Sequence, residues 1–257
     1  MTNQPVLIDR TDAVATITLS SPALTLESKV ALRDALADVA NNADVRAVVL
    51  AGGGKAFCVG QDLGEHSAAL ADGAEAAFAT VREHYSPVVR DLLTMPKPVI
   101  AAVGGACVGA GLGFALACDY RVFAEGAKLG TAFTGIGLTF DSGLSFLLPR
   151  AVGDARAKKL ILFGQTFTAE QAIEWGIAGE TAEAADVLDR AVDLASQLAK
   201  GPTVAFGESK RLLVDTVALG AALEAEATAQ IRCGASEDHA NAVTAFLDRE
   251  KPVFKGR

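Results

Sequence analysis

The sequence is poor in metal-binding groups and in positive charge. Its three histidines, His66, His84 and His239, are scattered. Its four cysteines, Cys58, Cys107, Cys118 and Cys233, form no CxxC pair and match no zinc spacing. No metal site is expected, and the thiols are expected to be reduced, as in a cytoplasmic protein. Lys and Arg number 23 against 31 Asp and Glu, a net charge of -8. The composition offers no basic face to nucleic acid or to an anionic membrane. An anionic small molecule is still possible, since it needs only a few local cations and backbone N–H groups. The chain has no internal repeat and no low-complexity linker, and its start, MTNQPVLIDR, lacks the charged-then-apolar pattern of a secretory signal. What is present is 257 residues, 51% hydrophobic and 21% charged. That suits one domain, or one domain with an extension, built on a large core.

Strand and helix patterns alternate over the first part of the chain. VLIDR and Ala13–Ser20 read as strands, the second alternating Val14, Thr16 and Thr18 with apolar neighbours. LESKVALRDALADVANN reads as an amphipathic helix with Val30, Leu32, Leu36 and Val39 on one face. VRAVVLAGG is a short buried strand, and AAFATVREHYSPVVRDLLTM is a helix expected to break at Pro87. The alternation predicts parallel strands with crossover helices. Beyond about residue 153 the last third reads as all helix, with Thr168 a candidate N-cap and Gly176 a helix end.

No charged residue separates Lys97 from Asp119. A membrane span fits by length, but five glycines and the start Pro96–Lys97–Pro98 argue against it. A dinucleotide fingerprint needs G-x-G-x-x-G, whereas Gly109, Gly111 and Gly113 give G-x-G-x-G. GGGK at Gly52–Lys55 is no phosphate loop, because Ala56 follows the lysine. A strand at Val99–Val103, a glycine turn and a helix from about Gly109 to Cys118 fit best. The glycines then serve either close strand–helix packing or the approach of a ligand to free N–H groups. The stretch alone does not choose between the two.

Five ordered stretches carry a family resemblance. GGGKAFCVGQDL (Gly52–Leu63), KPVIAAVGGACVGAGLGFALACDYRV and AKLGTAFTGIGLTFDSGLSFLLPRAVG (Ala127–Gly153) resemble three signatures of the crotonase, or enoyl-CoA hydratase/isomerase, superfamily. FTAEQAIEWGIAGE and the terminal AFLDREKPVFKGR also resemble family features. Within it the chain looks most like the 1,2-epoxyphenylacetyl-CoA isomerases of phenylacetate breakdown and their enoyl-CoA isomerase relatives. Those relatives read PDSGG where this chain has Phe140–Leu144.

The resemblance implies an α/β fold, a ββα spiral core over residues 1–195 followed by a helical trimerisation region over 196–257. It implies a homotrimer or hexamer acting on an acyl-CoA thioester, with no cofactor beyond the coenzyme A of the substrate. The backbone N–H groups of Gln61 and Ala110 would hold the thioester oxygen as an enolate forms. Val59, Gly60, Asp62, Leu63, Gly109, Gly111, Phe133 and Phe140 would surround the substrate. Lys55 and Ala56 would lie near the coenzyme, and Phe246 and Arg249 would reach the nucleotide bound by a neighbouring subunit.

Hydratases of this family resemble one another in two glutamates. Here the corresponding positions are Gly113 and Phe133, neither able to move a proton. One carboxylate stands at a position used by isomerases, Asp141, and a single base suffices to move a proton between two carbons. Asp141 could instead cap a helix through Ser142–Leu148. Asp62 reads as a turn residue, and Glu65 and His66 as a solvated loop that could line an acyl pocket. His84 and Tyr85 read as core or surface bordering that pocket. The leading expectation is an enoyl-CoA isomerase for fatty or aromatic-derived acyl chains. The alternatives are an atypical hydratase using Asp141 and a catalytically weak acyl-CoA-binding protein.

Overall fold

The computed structural model describes residues 4–257. Its strands are β1 (Val6–Thr11), β2 (Val14–Leu19), β3 (Ala47–Gly52), β4 (Ala56–Cys58), β5 (Val99–Val103), β6 (Ala106–Val108), β7 (Tyr120–Ala124), β8 (Lys128–Gly130), β9 (Phe167–Thr168) and β10 (Glu180–Ala182). They form a six-stranded sheet, β1-β2-β3-β5-β7-β10, and a four-stranded sheet, β4-β6-β8-β9. The hairpin β1–β2 is antiparallel, and β2, β3, β5, β7 and β10 run parallel. Each of β3, β5 and β7 is followed by a short strand in the second sheet, β4, β6 and β8, so the chain steps repeatedly between two layers.

The helices are α1 (Leu26–Asn41), α2 (Leu63–Ala69), α3 (Ala74–Thr80), α4 (Ser86–Thr94), α5 (Ala110–Ala117), α6 (Leu144–Val152), α7 (Asp154–Phe163), α8 (Ala169–Glu174), α9 (Val187–Ala199), α10 (Thr203–Leu213), α11 (Thr216–Gly234) and α12 (Glu237–Leu247). Among the described residues no helix is long and apolar enough to cross a membrane. In α1, Thr25 accepts from the Ser28 N–H at the N-cap, and Leu32, Leu36 and Val39 are buried while Val30 is half-buried. Helix α9 packs along β2, β3, β5 and β7. Covered sheet faces explain why β5 is a continuous apolar run with every residue buried.

The uncharged stretch becomes β5, β6 and α5, and every residue of α5 is buried. The charges at its ends are structural. Lys97 Nζ donates to the carbonyls of Val39 and Asn42 at the end of α1, both at 2.6 Å. Asp119 accepts from the Val99 N–H at 2.7 Å and from Lys210 Nζ at 2.7 Å. Buried Arg121 closes the C-terminus of α5, donating to Ala115 O at 2.6 Å, Leu116 O at 2.5 Å and Cys118 O.

Two expectations are corrected. The helix around Pro87 does not break there. A π-helical turn, Val81–Tyr85, precedes α4 and places Pro87 in its first turn. Pro87 has no N–H for the Glu83 carbonyl four residues earlier, and that carbonyl accepts from Arg33 at 3.4 Å instead. Nor is the last third all helix. Its β9 pairs with β8, and β10 extends the large sheet beside β7. Thr168 does cap α8, as half of a capping box with Gln171.

Contact between α5 and its neighbours depends on the absence of side chains. A Cβ on Gly111 would collide with the Cys58 carbonyl, and one on Gly113 with the Ser142 carbonyl. A Cβ on Gly54 would meet nothing. Gly113→Ala is therefore expected to lower the unfolding free energy by about 1–3 kcal/mol or more. Gly54→Ala should change it by less than about 0.5 kcal/mol. Urea unfolding of the two variants beside the parent chain checks this.

Candidate active site

The site is assembled around the N-terminus of α5. Gly109 has φ 58° and ψ -127°, a conformation closed to residues with a β-carbon. The Gly109 carbonyl accepts from Leu112 at 3.0 Å and Gly113 at 3.3 Å. Ala110, the first helical residue, has no intrahelical acceptor for its N–H and finds none elsewhere among the described residues.

Gln61 supplies a second free N–H. The segment at 59–62 zips to 22–24 through Val59 N–H to Pro22 O (2.8 Å), Leu24 N–H to Gly60 O (2.8 Å) and Asp62 N–H to Leu24 O (3.0 Å). Gly60, at φ 87°, interrupts the strand alternation, and the Gln61 N–H between the Gly60 carbonyl and the Asp62 N–H has no acceptor among the described residues. A Cβ on Gly60 would stand 3.9 Å from the Ala110 nitrogen, so the two segments adjoin. Gln61 and Ala110 line one cavity of about 500 Å³. Two adjoining uncommitted donors are suited to stabilising an oxyanion.

The carboxyl group of Asp141 is on the same cavity wall and only 5% exposed. Ser142 Oγ donates to its Oδ1 at 2.8 Å, and Gln230 Nε2, from α11, donates to its Oδ2 at 2.9 Å. Burial raises its pKa from the ordinary carboxylate value to about 7. The Ser142 and Gln230 hydrogen bonds and the Lys29 charge oppose that rise, and Glu226 adds to it. Lys29 is itself buried, and desolvation depresses its pKa. Its Nζ lies 5.8 Å above the Tyr85 ring.

Asp141 does not cap the following helix, which begins at Leu144 rather than at Ser142. That N-terminus belongs to Glu226, which accepts from the N–H groups of Gly143 at 2.9 Å and Ser145 at 2.7 Å. Ser142 and Gly143 are both left-handed, with φ 55° and 75°. They turn the chain so that Asp141 stays in the cavity wall while Glu226 takes the helix end.

Of the residues singled out in the sequence, Val59, Gly60, Gln61, Asp62, Leu63, Gly109, Ala110, Phe133, Asp141 and Phe246 line this cavity. Asp62 is committed to a cap, accepting from the Glu65 N–H at 2.9 Å. Phe246 lines the cavity of its own chain. Lys55, Ala56, Phe140 and Arg249 do not line it, nor does Gly111, which serves the packing against β4. His66 is no solvated loop residue: it is buried and lines the cavity, as does Tyr85. His84 is buried outside the cavity lining and shares a 3.1 Å hydrogen bond with Thr80. Gln230, Glu226, Ser142 and Lys29 carried no sequence signal, because their partners are distant in the chain or, for Ser142, set by an unusual turn.

Comparisons with known proteins show the family and the fold. The family model described as enoyl-CoA hydratase/isomerase matches residues 9–257. The 1,2-epoxyphenylacetyl-CoA isomerase of Escherichia coli (strain K12) is 37% identical over 95% of each chain. The 4-chlorobenzoyl coenzyme A dehalogenase-2 of an Arthrobacter species is 35% identical over 77% of this chain and 73% of its own. The crystal structure of an enoyl-CoA hydratase from Mycobacterium avium subsp. paratuberculosis K-10 superposes with a TM-score of 0.86 at 29% identity, over 98% of each chain. Matched along nearly its whole length in sequence and in fold, the chain belongs to the enoyl-CoA hydratase/isomerase family and has the crotonase fold.

Proposed function

We propose that the protein isomerises an acyl-CoA thioester, moving a 3-enoyl double bond to the 2-position or carrying out a related shift on a ring-derived acyl group. The observation that carries this reading is a single buried carboxyl group, Asp141, free of any capping duty and raised to about 7. The Asp141 carboxylate takes a proton from C2. The electrons pass into the thioester, and the N–H groups of Gln61 and Ala110 bind the resulting enolate oxygen. The same proton returns from Asp141 at C4, so one group acts as base and then acid. No water is added and nothing is oxidised.

A two-carboxylate hydration is disfavoured by the same cavity. Gly113 abuts the Ser142 carbonyl, and Phe133 fills the other position with an apolar ring. The protein should convert 3-enoyl-CoA to 2-enoyl-CoA while hydrating crotonyl-CoA poorly. Hydration as fast as isomerisation, in parallel absorbance assays, would instead favour the atypical hydratase. Binding of both thioesters without turnover of either would favour an acyl-CoA-binding protein.

The ionisation of Asp141 supplies a second test. As a base it works deprotonated, so kcat/KM should rise with pH through about 7. Stability runs the other way. A carboxyl whose folded pKa lies above its unfolded value binds its proton more tightly when folded. The stabilisation is complete below the unfolded pKa and is lost as pH rises toward about 7. Asp141→Asn should lower the rate by about 10²–10⁴ yet leave the protein at least as stable at pH 8. An unchanged rate, or a large loss of stability at that pH, would count against this role.

We also propose a trimer, or a dimer of trimers, assembled through the C-terminal helices. Leu212, Leu213 and Val217 are 76%, 86% and 82% exposed, an apolar ridge at the junction of α10 and α11. Leu223, also expected on such a face, is 2% exposed and packs within the chain. Light scattering at micromolar concentration should give trimer or hexamer mass, and Leu213→Asp should lower it. A monomer from the parent chain would overturn the assembly.

A further inference from the structure

Two residues that line the cavity, His66 and Tyr85, each carry a buried polar atom without a partner among the described residues, Nδ1 and the hydroxyl. Each residue is 2% exposed. The surrounding wall includes Phe78, Phe133, Ile136 and Leu138. Buried polar atoms are nearly always paired. Two orphans on residues that line one ligand-sized, largely apolar cavity therefore point to an occupant that supplies their partners.

The histidine network fixes what that partner must be. The Ile136 carbonyl can only accept, so His239, 2.7 Å away, bonds to it through Nδ1–H. Neutral His239 then has a lone pair on Nε2. Its 2.9 Å contact with His66 Nε2 places a hydrogen on His66 Nε2. His66 Nδ1 is left as a bare lone pair. Burial first, then His239 and Lys29, push the His66 pKa down to about 4, which keeps the ring neutral at pH 7. Phe78 fixes the ring edge-on at a centroid distance of 5.1 Å. Tyr85, held protonated by burial and by the nearby Asp141 charge, both donates and accepts. A lone pair needs a donor, which a hydrocarbon, ether or carbonyl does not provide.

We infer that the acyl pocket selects thioesters whose acyl group carries a hydroxyl, with its O–H donating to His66 Nδ1 and its oxygen open to the Tyr85 hydroxyl. This rests on the acyl-CoA reading above. His66 and Tyr85 are specificity residues, and His239 is a positioning residue that sets the His66 tautomer. A site built around a hydroxyl discriminates strongly against the analogue lacking it.

The test is calorimetric. Phenylacetyl-CoA would be compared with its 2-, 3- and 4-hydroxy derivatives, and hexanoyl-CoA with its 4-, 5- and 6-hydroxy derivatives. None of these is a 3-enoyl substrate. At least one hydroxylated member should bind about tenfold or more tightly than its parent. That ratio should shrink below about threefold in Tyr85→Phe and in His66→Phe, with thermal melting confirming that each variant is folded. Should His66→Phe not fold, nitrogen NMR of the parent protein decides. The His66 Nδ1 resonance should shift on adding the preferred hydroxylated thioester and not on adding its parent. Parents that bind as well as every hydroxylated member, an advantage that survives both substitutions, or an unmoved Nδ1 resonance would each overturn the inference while leaving the acyl-CoA reading intact. Failure of every thioester to bind would overturn both.

Discussion

Close approach between bare backbones is the constraint on which the site depends. At Gly111 the α5 backbone abuts the Cys58 carbonyl, and at Gly113 it abuts the Ser142 carbonyl. These contacts set the N-terminus of α5 between the segment that presents Gln61 and the turn that presents Asp141. Any β-carbon at either position would push those segments apart. The same packing bears on the chemistry. Because position 113 is occupied by backbone contact, a second carboxylate cannot enter there without displacing the turn that carries the first.

Charge placement follows a second rule: groups that could compete with Asp141 already have partners. Glu226 is bound by two helix N–H groups, and Asp62 is bound at the cap of α2. Lys97, Asp119 and Arg121 close the ends of the uncharged run. Asp141 is left with two side-chain donors and an apolar wall. Desolvation outweighs those donors, which is the physical reason its pKa sits near the working range of a proton carrier. The two donors come from very different places. Ser142 is the next residue, whereas Gln230 arrives from α11, so the C-terminal helices complete the site.

Relatives named for isomerisation and dehalogenation are 37% and 35% identical to this chain, and a solved structure named for hydration shares its fold. Two free backbone donors, one of them at a helix N-terminus, would stabilise an oxyanion whatever reaction generated it. The reaction is then a matter of which side chains surround that oxygen. In this chain the cavity is lined by one carboxyl group free of capping, an apolar wall, and His66 and Tyr85, each with an unpaired buried polar atom.

Local pattern in the chain was enough to determine a good deal. The apolar run at Val99–Val103, the amphipathic stretch after Thr25 and the capping signal at Thr168 each depend on neighbours a few residues away, and all are found. The order of glycine-rich motifs located the α5 N-terminus and singled out Gln61, Ala110 and Asp141. Other features depended on long-range packing and were set only by the tertiary structure. Strand β10 is three residues long and is a strand only because β7 offers it an edge. Whether Asp141 capped the helix was decided only by Glu226, 85 positions further on, which takes the helix end. His66 looked like a loop residue because its burial comes from Phe78 and from His239, far along the chain. Sequence records propensity and spacing, whereas burial and hydrogen-bond ownership are set by which distant segments meet.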